Sequence, residues 1–495
     1  MSVKSSAPNP TTFSTRRDFL RQSVFTAAAA SAASAIPSRW WAEDEQAKNT
    51  AERLGVAVVG VNGRGGDHIN AWVGRKDTEI LYVVDADEKV GNNRADQIYK
   101  KQDRRPHVVA DMRKAFEDKA VNVVSTATPN HWHALTAIWA LQAGKDVYVE
   151  KPVSHNVSEG RRIVEVARKY GGICQTGTQC RSNPGMREMM EYLHAGKIGD
   201  IKVARGLCYK RRGSIGPRGK YDVPKEVDYD LWSGPAPMLP LTRPKFHYDW
   251  HWQWPYGNGD LGNQGIHQMD LARWGLGVDQ LAKSVFSYGG RFGYEDAGDT
   301  ANTQVVVLDY GEQALVFEVR GLPTQSHRGA GVGVVFEGSE GSLVVTSYDS
   351  GVAYDKDGKE VKKFRGGADH YANFIKAVRS RKHEDLNADI EEGHLSSALC
   401  HLGNVSYRLG SQMTADDIKA KLRETKSADD LLATFERFDL HLADNKVLLS
   451  KTPVQMGAML AIDQQSETFV DNAEADKMLT REYRAPFVVP AADAI

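Results

Sequence analysis

The sequence predicts an α/β protein built from two unlike domains, and three observations carry that prediction. From residue 53 to about 176, strand-like apolar runs alternate with helical stretches, the pattern of a doubly wound parallel sheet. From about 177 to 410 the pattern changes to closely spaced strands joined mostly by short turns, which predicts an antiparallel, face-forming sheet. The chain has 495 residues, so two or more domains are expected.

The first domain opens with the apolar run Leu54 to Val59, then Gly60-Val61-Asn62-Gly63-Arg64-Gly65-Gly66 and a helical stretch from about Asp67 to Gly74. A strand, a glycine-rich turn and a helix form a pyrophosphate cradle, because glycines let the backbone approach and the helix start offers free N–H groups. In the G-x-G-x-x-G frame Gly60 and Gly65 match, and Asn62 replaces the second glycine. Arg64 is a candidate phosphate contact. The next strand, Ile80 to Val84, ends in Asp85, about twenty residues past the turn, where a carboxylate accepts from adenosine ribose hydroxyls. The same carboxylate would repel a 2′-phosphate, which favours NAD while leaving NADP possible. Asp85 also suits a helix N-cap, a role that Asp87 fills equally well.

The alternation continues through a short helix from Asp111 to Asp118 and a strand from Val121 to Ala127 that runs into Thr128-Pro129-Asn130-His131-Trp132-His133. A helix from Ala134 to Ala143 leads to the strand Asp146 to Val149, and Glu150-Lys151-Pro152 follows at once. Ligands of open parallel sheets bind outside the C-terminal strand ends, so Lys151 and Thr128 to Asn130 are expected on the ligand side. A lysine after a strand is equally an ordinary solvated charge, and Lys151 gains weight from its surroundings. A helix from Glu159 to Tyr170 and a strand from Ile173 to Gly177 complete this part.

Strands at Ile201 to Tyr209, Ser284 to Phe292, Thr303 to Tyr310, Ala314 to Gly321, Val332 to Glu337 and Ser342 to Thr346 define the second sheet, with helices at about Pro184 to Ala195 and Gly265 to Trp274. Between them, Phe246 to Tyr256 concentrates aromatic side chains and two histidines. It reads either as a core plug between domains or as a stacking platform for sugar faces, with His247, Tyr248, Trp250 and Tyr256 as substrate contacts. Asn263, His267 and Asp270 are spaced four and three apart and share one face if the helix begins near Asn263. A histidine with an acidic neighbour is a candidate proton shuttle. No dense set of carboxylate or cysteine ligands suggests a metal.

Bulk composition is that of an ordinary globular protein, with 41% hydrophobic residues and a formal net charge of -1. No basic excess points to nucleic acid, and no long apolar run to a membrane span. Cys174, Cys180, Cys208 and Cys400 form no C-x-x-C pair and are expected to be inert core residues. At the start, Arg16-Arg17 precedes an alanine-rich stretch and an Ala33-Ser34-Ala35 cleavage pattern. Residues 1–42 therefore resemble a twin-arginine export signal, with a polar linker to residue 52, and predict a periplasmic or otherwise exported protein.

Taken together, Gly60 to Gly65, Asp85, Thr128-Pro129-Asn130 with His133, Glu150-Lys151-Pro152 and Gly265-x-His267-x-x-Asp270 resemble the Gfo/Idh/MocA family of sugar and cyclitol oxidoreductases over about residues 53 to 410. The resemblance implies an N-terminal Rossmann domain (53–176) and a C-terminal α/β substrate-binding and dimerisation domain (177–410) with a large open, mostly antiparallel sheet. NAD(P) would lie between them. It implies that Lys151 contacts substrate and nicotinamide and that His267 is the base for the hydroxyl that becomes a ketone. Many members carry Asp four residues before that histidine. Here it is Asn263, which cannot take a proton, so Asp270 is the expected partner of the imidazole.

The expected reaction moves hydride between a sugar or cyclitol carbon and a tightly held nicotinamide. The alternative is an NAD-dependent glycoside hydrolase or lyase that oxidises its substrate only transiently. A homo-oligomer through the open sheet is also expected. Residues 411–495 read as a helical tail that wraps the domain or a partner subunit.

Overall fold

Two runs of apolar strands build two sheets. The computed structural model describes residues 53–495; the expected export signal and linker lie outside the described residues. The first sheet holds β1 (Leu54–Val59), β2 (Thr78–Val84), β3 (His107–Val109), β4 (Val121–Thr126), β5 (Asp146–Val149) and β6 (Cys174–Thr176). All pairings are parallel, in the order β3-β2-β1-β4-β5-β6. The order reverses between β1 and β4, which opens a crevice at their C-terminal ends. The Gly60 and Thr128 turns line that crevice, with the Ala127 N–H donating to Val59 O.

Helices cross over between these strands at Gly65–Trp72, Glu88–Gln102, Arg113–Phe116, Asn130–Gln142 and Val157–Tyr170. The long helix Glu88–Gln102 and the short strand β3 are not legible in the apolar pattern, because this helix buries only Gly91, Ala95 and Ile98. Its N-cap is Asp87, whose side chain accepts from Val90 N at 3.0 Å. The cap role is thus taken by Asp87, which leaves Asp85 at the strand end.

The second sheet holds β7 (Ile201–Tyr209), β8 (Ser284–Gly290), β9 (Thr303–Asp309), β10 (Ala314–Arg320), β11 (Val332–Gly338), β12 (Gly341–Val345), β13 (Ser350–Asp355), β14 (Glu360–Arg365), β15 (Ser411–Met413) and β16 (Val454–Met456). Their order is β14-β13-β12-β11-β7-β10-β9-β8-β16-β15. Only β7 and β10 run parallel, so the sheet is mixed and mostly antiparallel. β17 (Leu460–Asp463) adds to β8, and β18 (Thr468–Phe469) pairs with β17. One face buries Ala204, Phe317 and Phe336 against the helices Pro184–His194, Gly265–Leu276 and Ile390–Arg408.

Two expectations need correction. The chain does not finish with the first sheet at residue 176, since helix His370–Ser380 packs Phe374, Ile375 and Ala377 against Val56, Ile80 and Val123. Nor is the tail simply helical. Helices Ala415–Glu424 and Leu431–Asp444 lay Ile418, Leu422, Phe435 and Phe438 over Tyr288, Val305 and Val316, while β15 to β18 extend the sheet. The last residues return to the first domain, where Phe487 and Val489 join Trp132 in one core. The tail therefore wraps its own domain, covering a face of β8, β9 and β10.

Among the described residues no helix is long and apolar enough to cross a membrane. The four cysteines are free and buried.

Candidate active site

The glycine turn is shaped by close approach. Gly60 has φ +76°, and a Cβ there would lie 2.7 Å from the Thr128 backbone. A Cβ on Gly65 would meet Gly60 O at 1.9 Å, whereas one on Gly63 would meet nothing within 4 Å. The first two positions thus require glycine for packing of the turn, and Gly63 faces open space. Asp85 accepts from Val61 N at 2.8 Å through one oxygen and from Asp87 N at 2.9 Å through the other. Each carboxylate oxygen keeps a further lone pair for a ligand hydroxyl. Asn62 gives its main-chain oxygen to Arg94.

Arg64, a candidate phosphate contact, is committed elsewhere. Its Nε lies 2.7 Å from Glu150 Oε1, and its Nη1 lies 3.1 Å from Asp67. Glu150 is buried and also meets His68 Nε2 at 3.1 Å, with His68 Nδ1 reaching Ser125. Burial alone would raise the Glu150 carboxyl, but Arg64 and His68 outweigh it and hold it well below the usual carboxylate value. Glu150 therefore locks the glycine turn to the strand end that carries Lys151.

Two other expected cofactor contacts act as fasteners. His133 sits between two main-chain oxygens, with Nε2 2.7 Å from Thr128 O and Nδ1 2.5 Å from Pro152 O. Asn130, the first residue of its helix, donates to Asn258 Oδ1 at 3.0 Å. These ties fix the Thr128-Pro129 turn against both the Lys151 loop and the second domain.

Lys151 and His267 come together. Lys151 Nζ donates to the main-chain oxygen of Asn263 at 2.9 Å, at the entry to helix Gly265–Leu276, which carries His267 one turn on. His267 is buried, its ring lies 5.1 Å from that of Tyr348, and its Nδ1 has no hydrogen-bond partner among the described residues. Burial, reinforced by the Lys151 charge, pushes the imidazole well below its usual pKa of 6.5. Burial likewise lowers the Lys151 ammonium from 10.5. A neutral imidazole beside an ammonium can take a hydroxyl proton while the ammonium polarises the same oxygen.

Asp270 does not orient His267. Its carboxylate is gripped by Arg181 at 2.9 to 3.0 Å and by Ser396 at 2.7 Å in the helix packing behind the site. Asn263 Nδ2 reaches Asp260 Oδ1 only at 3.4 Å, a long contact. Asp260 is itself held by two 2.7 Å bonds from Arg212.

The aromatic segment is mostly a plug. Tyr256 is buried against Trp232 and beneath Arg243, so it is not a substrate contact. His247 meets Asp87 at 2.9 Å, close to Asp85. Tyr248 is exposed and accepts from Arg212 at 3.2 Å, and Trp250 stacks on His251 with centroids 3.7 Å apart. The sequence reading missed His68, Asp260, Arg212, Lys210, Gln264 and Tyr348. Only Asp260 and Gln264 carried a usable signal, since they sit within the segment already singled out around Asn263. Among the described residues no group of His, Cys, Asp or Glu is arranged to hold a metal.

Two family models match this chain. Residues 54–178 match the oxidoreductase family's NAD-binding Rossmann fold, and residues 217–442 match its C-terminal alpha/beta domain. The chain belongs to the Gfo/Idh/MocA family. Among its relatives, levoglucosan dehydrogenase of Pseudarthrobacter phenanthrenivorans is 27% identical over 179 residues, 36% of this chain and 39% of that protein. Inositol 2-dehydrogenase 1 of Saccharopolyspora erythraea is 34% identical over 148 residues, 29% of this chain and 42% of that protein. The alignments thus span less than half of these curated relatives. The WlbA dehydrogenase from Bordetella pertussis, solved with NADH and UDP-GlcNAcA, superposes with a TM-score of 0.53 at 19% identity, over 71% of this chain and 95% of that one. It shares the two-domain Gfo/Idh/MocA fold.

The residues present fit the family's dinucleotide. Gly60 and Gly65 build a close-packed turn before a helix start, Gly63 leaves its outer side open, and Asp85 stands at the neighbouring strand end. Gly60 to Gly65 would hold the pyrophosphate, Asp85 the ribose, and the Thr128-Pro129 turn and Lys151 would flank the nicotinamide half.

Proposed function

We propose that the chain is an NAD-dependent oxidoreductase acting on a CH–OH group of a sugar or cyclitol. The observation that carries this reading is the meeting of Lys151 and His267 across the domain junction, joined through Asn263. The dehydrogenase relatives that act by name on levoglucosan and inositol support the substrate class. Nicotinamide, when bound, supplies a two-electron hydride acceptor.

The chain's residues do the rest. Lys151 polarises the substrate hydroxyl, and neutral His267 takes its proton as the C–H bond breaks and the C=O bond forms. Glu150 holds the glycine turn through Arg64, and His133 and Asn130 keep the Thr128 turn in register. Asn263 orients through its amide and takes no proton. The Arg16-Arg17 segment supports export of the folded protein, and an exported enzyme of this kind needs a tightly held cofactor that is recycled in place.

The test is redox stoichiometry. Protein loaded with NAD is mixed with levoglucosan, D-glucose and myo-inositol, and NADH and ketone product are both quantified. One NADH formed per substrate oxidised is expected. Substrate cleavage with no net NADH would overturn this reading in favour of transient oxidation.

A further inference from the structure

Asn263 and Gln264 are consecutive, and each holds an ammonium group. Lys151 Nζ donates to Asn263 O at 2.9 Å, and Lys210 Nζ donates to Gln264 Oε1 at 3.1 Å. Both acceptors are neutral. The carboxylates of the cleft are committed elsewhere, Glu150 to Arg64 and Asp260 to Arg212.

Lys210 is exposed at the mouth of the cleft, yet held in place. It stands at the end of β7, opening the run Lys210-Arg211-Arg212, and it is tied to a buried amide. Gln264 in turn donates to Tyr348 Oη at 2.6 Å, and the Tyr348 ring packs against His267. Lys210, Gln264, Tyr348 and His267 thus form one connected wall of the cleft. Two ammonium groups anchored on adjacent residues repel each other, and the Lys210 charge, at the exposed mouth of the cleft, disfavours the Lys151 ammonium. An anionic group on the bound substrate would relieve it. A sugar hydroxyl would not, since it adds no charge.

We propose that the substrate is an acidic sugar, a uronic or aldonic acid, whose carboxylate seats on Lys210 while its reacting hydroxyl lies between Lys151 and His267. The proposal rests on the oxidoreductase reading above and names its substrate class. Lys210 is then a specificity-determining residue. The carboxylate itself is not transformed: the oxidised carbon is the one whose hydroxyl faces His267.

The test uses the full chain loaded with NAD. Affinity for D-glucuronate, D-gluconate, D-glucose and myo-inositol is measured by calorimetry, and hydride transfer at 340 nm in parallel. An acid is expected to bind at least ~10-fold more tightly than the neutral sugars, the scale of one charge-assisted hydrogen bond. In Lys210→Gln the acid-to-neutral ratio of kcat/KM should fall ~10- to 100-fold, with Lys210→Arg retaining part of it. Equal affinity for acids and neutral sugars in the unmodified protein would overturn the proposal, as would an unchanged ratio in Lys210→Gln. A rise in KM for NAD alone would assign Lys210 to the cofactor instead and would also overturn it. Tight binding of an acid with no hydride transfer to any sugar would sink the oxidoreductase reading while leaving the carboxylate site standing.

Discussion

The proposed chemistry rests on two side chains, Lys151 and His267, whose protonation is set by burial. Lys151→Ala removes the group that polarises the hydroxyl without touching the glycine turn or Asp85. It should lower kcat by ~10²-fold or more while NAD stays bound, as checked by single-turnover rates beside cofactor content. Asp85→Ala should do the reverse, raising KM for NAD with a smaller change in kcat. In the proposed mechanism His267 acts in its neutral form, and burial pushes its pKa well below 6.5. The acid limb of kcat/KM should therefore fall below pH 6.5, not at it. In the same mechanism Lys151 acts as a cation, and burial lowers its pKa from 10.5, so the alkaline limb should lie below 10.5. A pH profile with its acid limb at or above 6.5, or one left unaltered by His267→Asn, would contradict the assignment.

At the scale of elements, the tail is the part with most to test. Phe435 is fully buried beneath Tyr288 with ring centroids 5.5 Å apart. Phe435→Ala should destabilise the protein by about 3–5 kcal/mol, read from urea unfolding, if helix Leu431–Asp444 is an integral cover of the sheet. A loss near zero would mean the helix is a loose appendage. The tail also shows where the sequence stops being legible. Strands β7 to β12 are readable because their apolar runs are long and bounded by turns, and the glycine turn and Lys151 loop are readable because chemistry fixes their residue types. The role of the tail is not, because its apolar residues pair with strands more than a hundred positions upstream and local periodicity holds no record of a distant partner. The same reason hid Lys210, which joins this wall through Gln264, and Tyr348, whose ring packs directly on His267. Asp270 misled because helical spacing puts it near His267 in sequence, while Arg181 and Ser396 claim it in space.

Across the whole molecule, many histidines are buried as neutral rings. Burial lowers His131 and His401 to about 3 and His370 to about 4. Each binds its proton more weakly when folded than when unfolded, so its contribution to stability is fully present above pH 6.5 and is lost as pH falls toward those values. The thermal midpoint should hold near neutrality and drop steeply between about pH 6 and pH 4; a midpoint that rises on acidification would contradict this. The two domains, the glycine turn, Asp85 and the Lys151–Asn263 tie across the junction form the arrangement proposed to hold a dinucleotide against a substrate hydroxyl. The most direct test of that claim is the amount of NAD(P) released on denaturing the purified full chain. About one NAD per chain is expected, in keeping with a resident cofactor. A protein that is empty and also fails to bind added NAD would contradict the account.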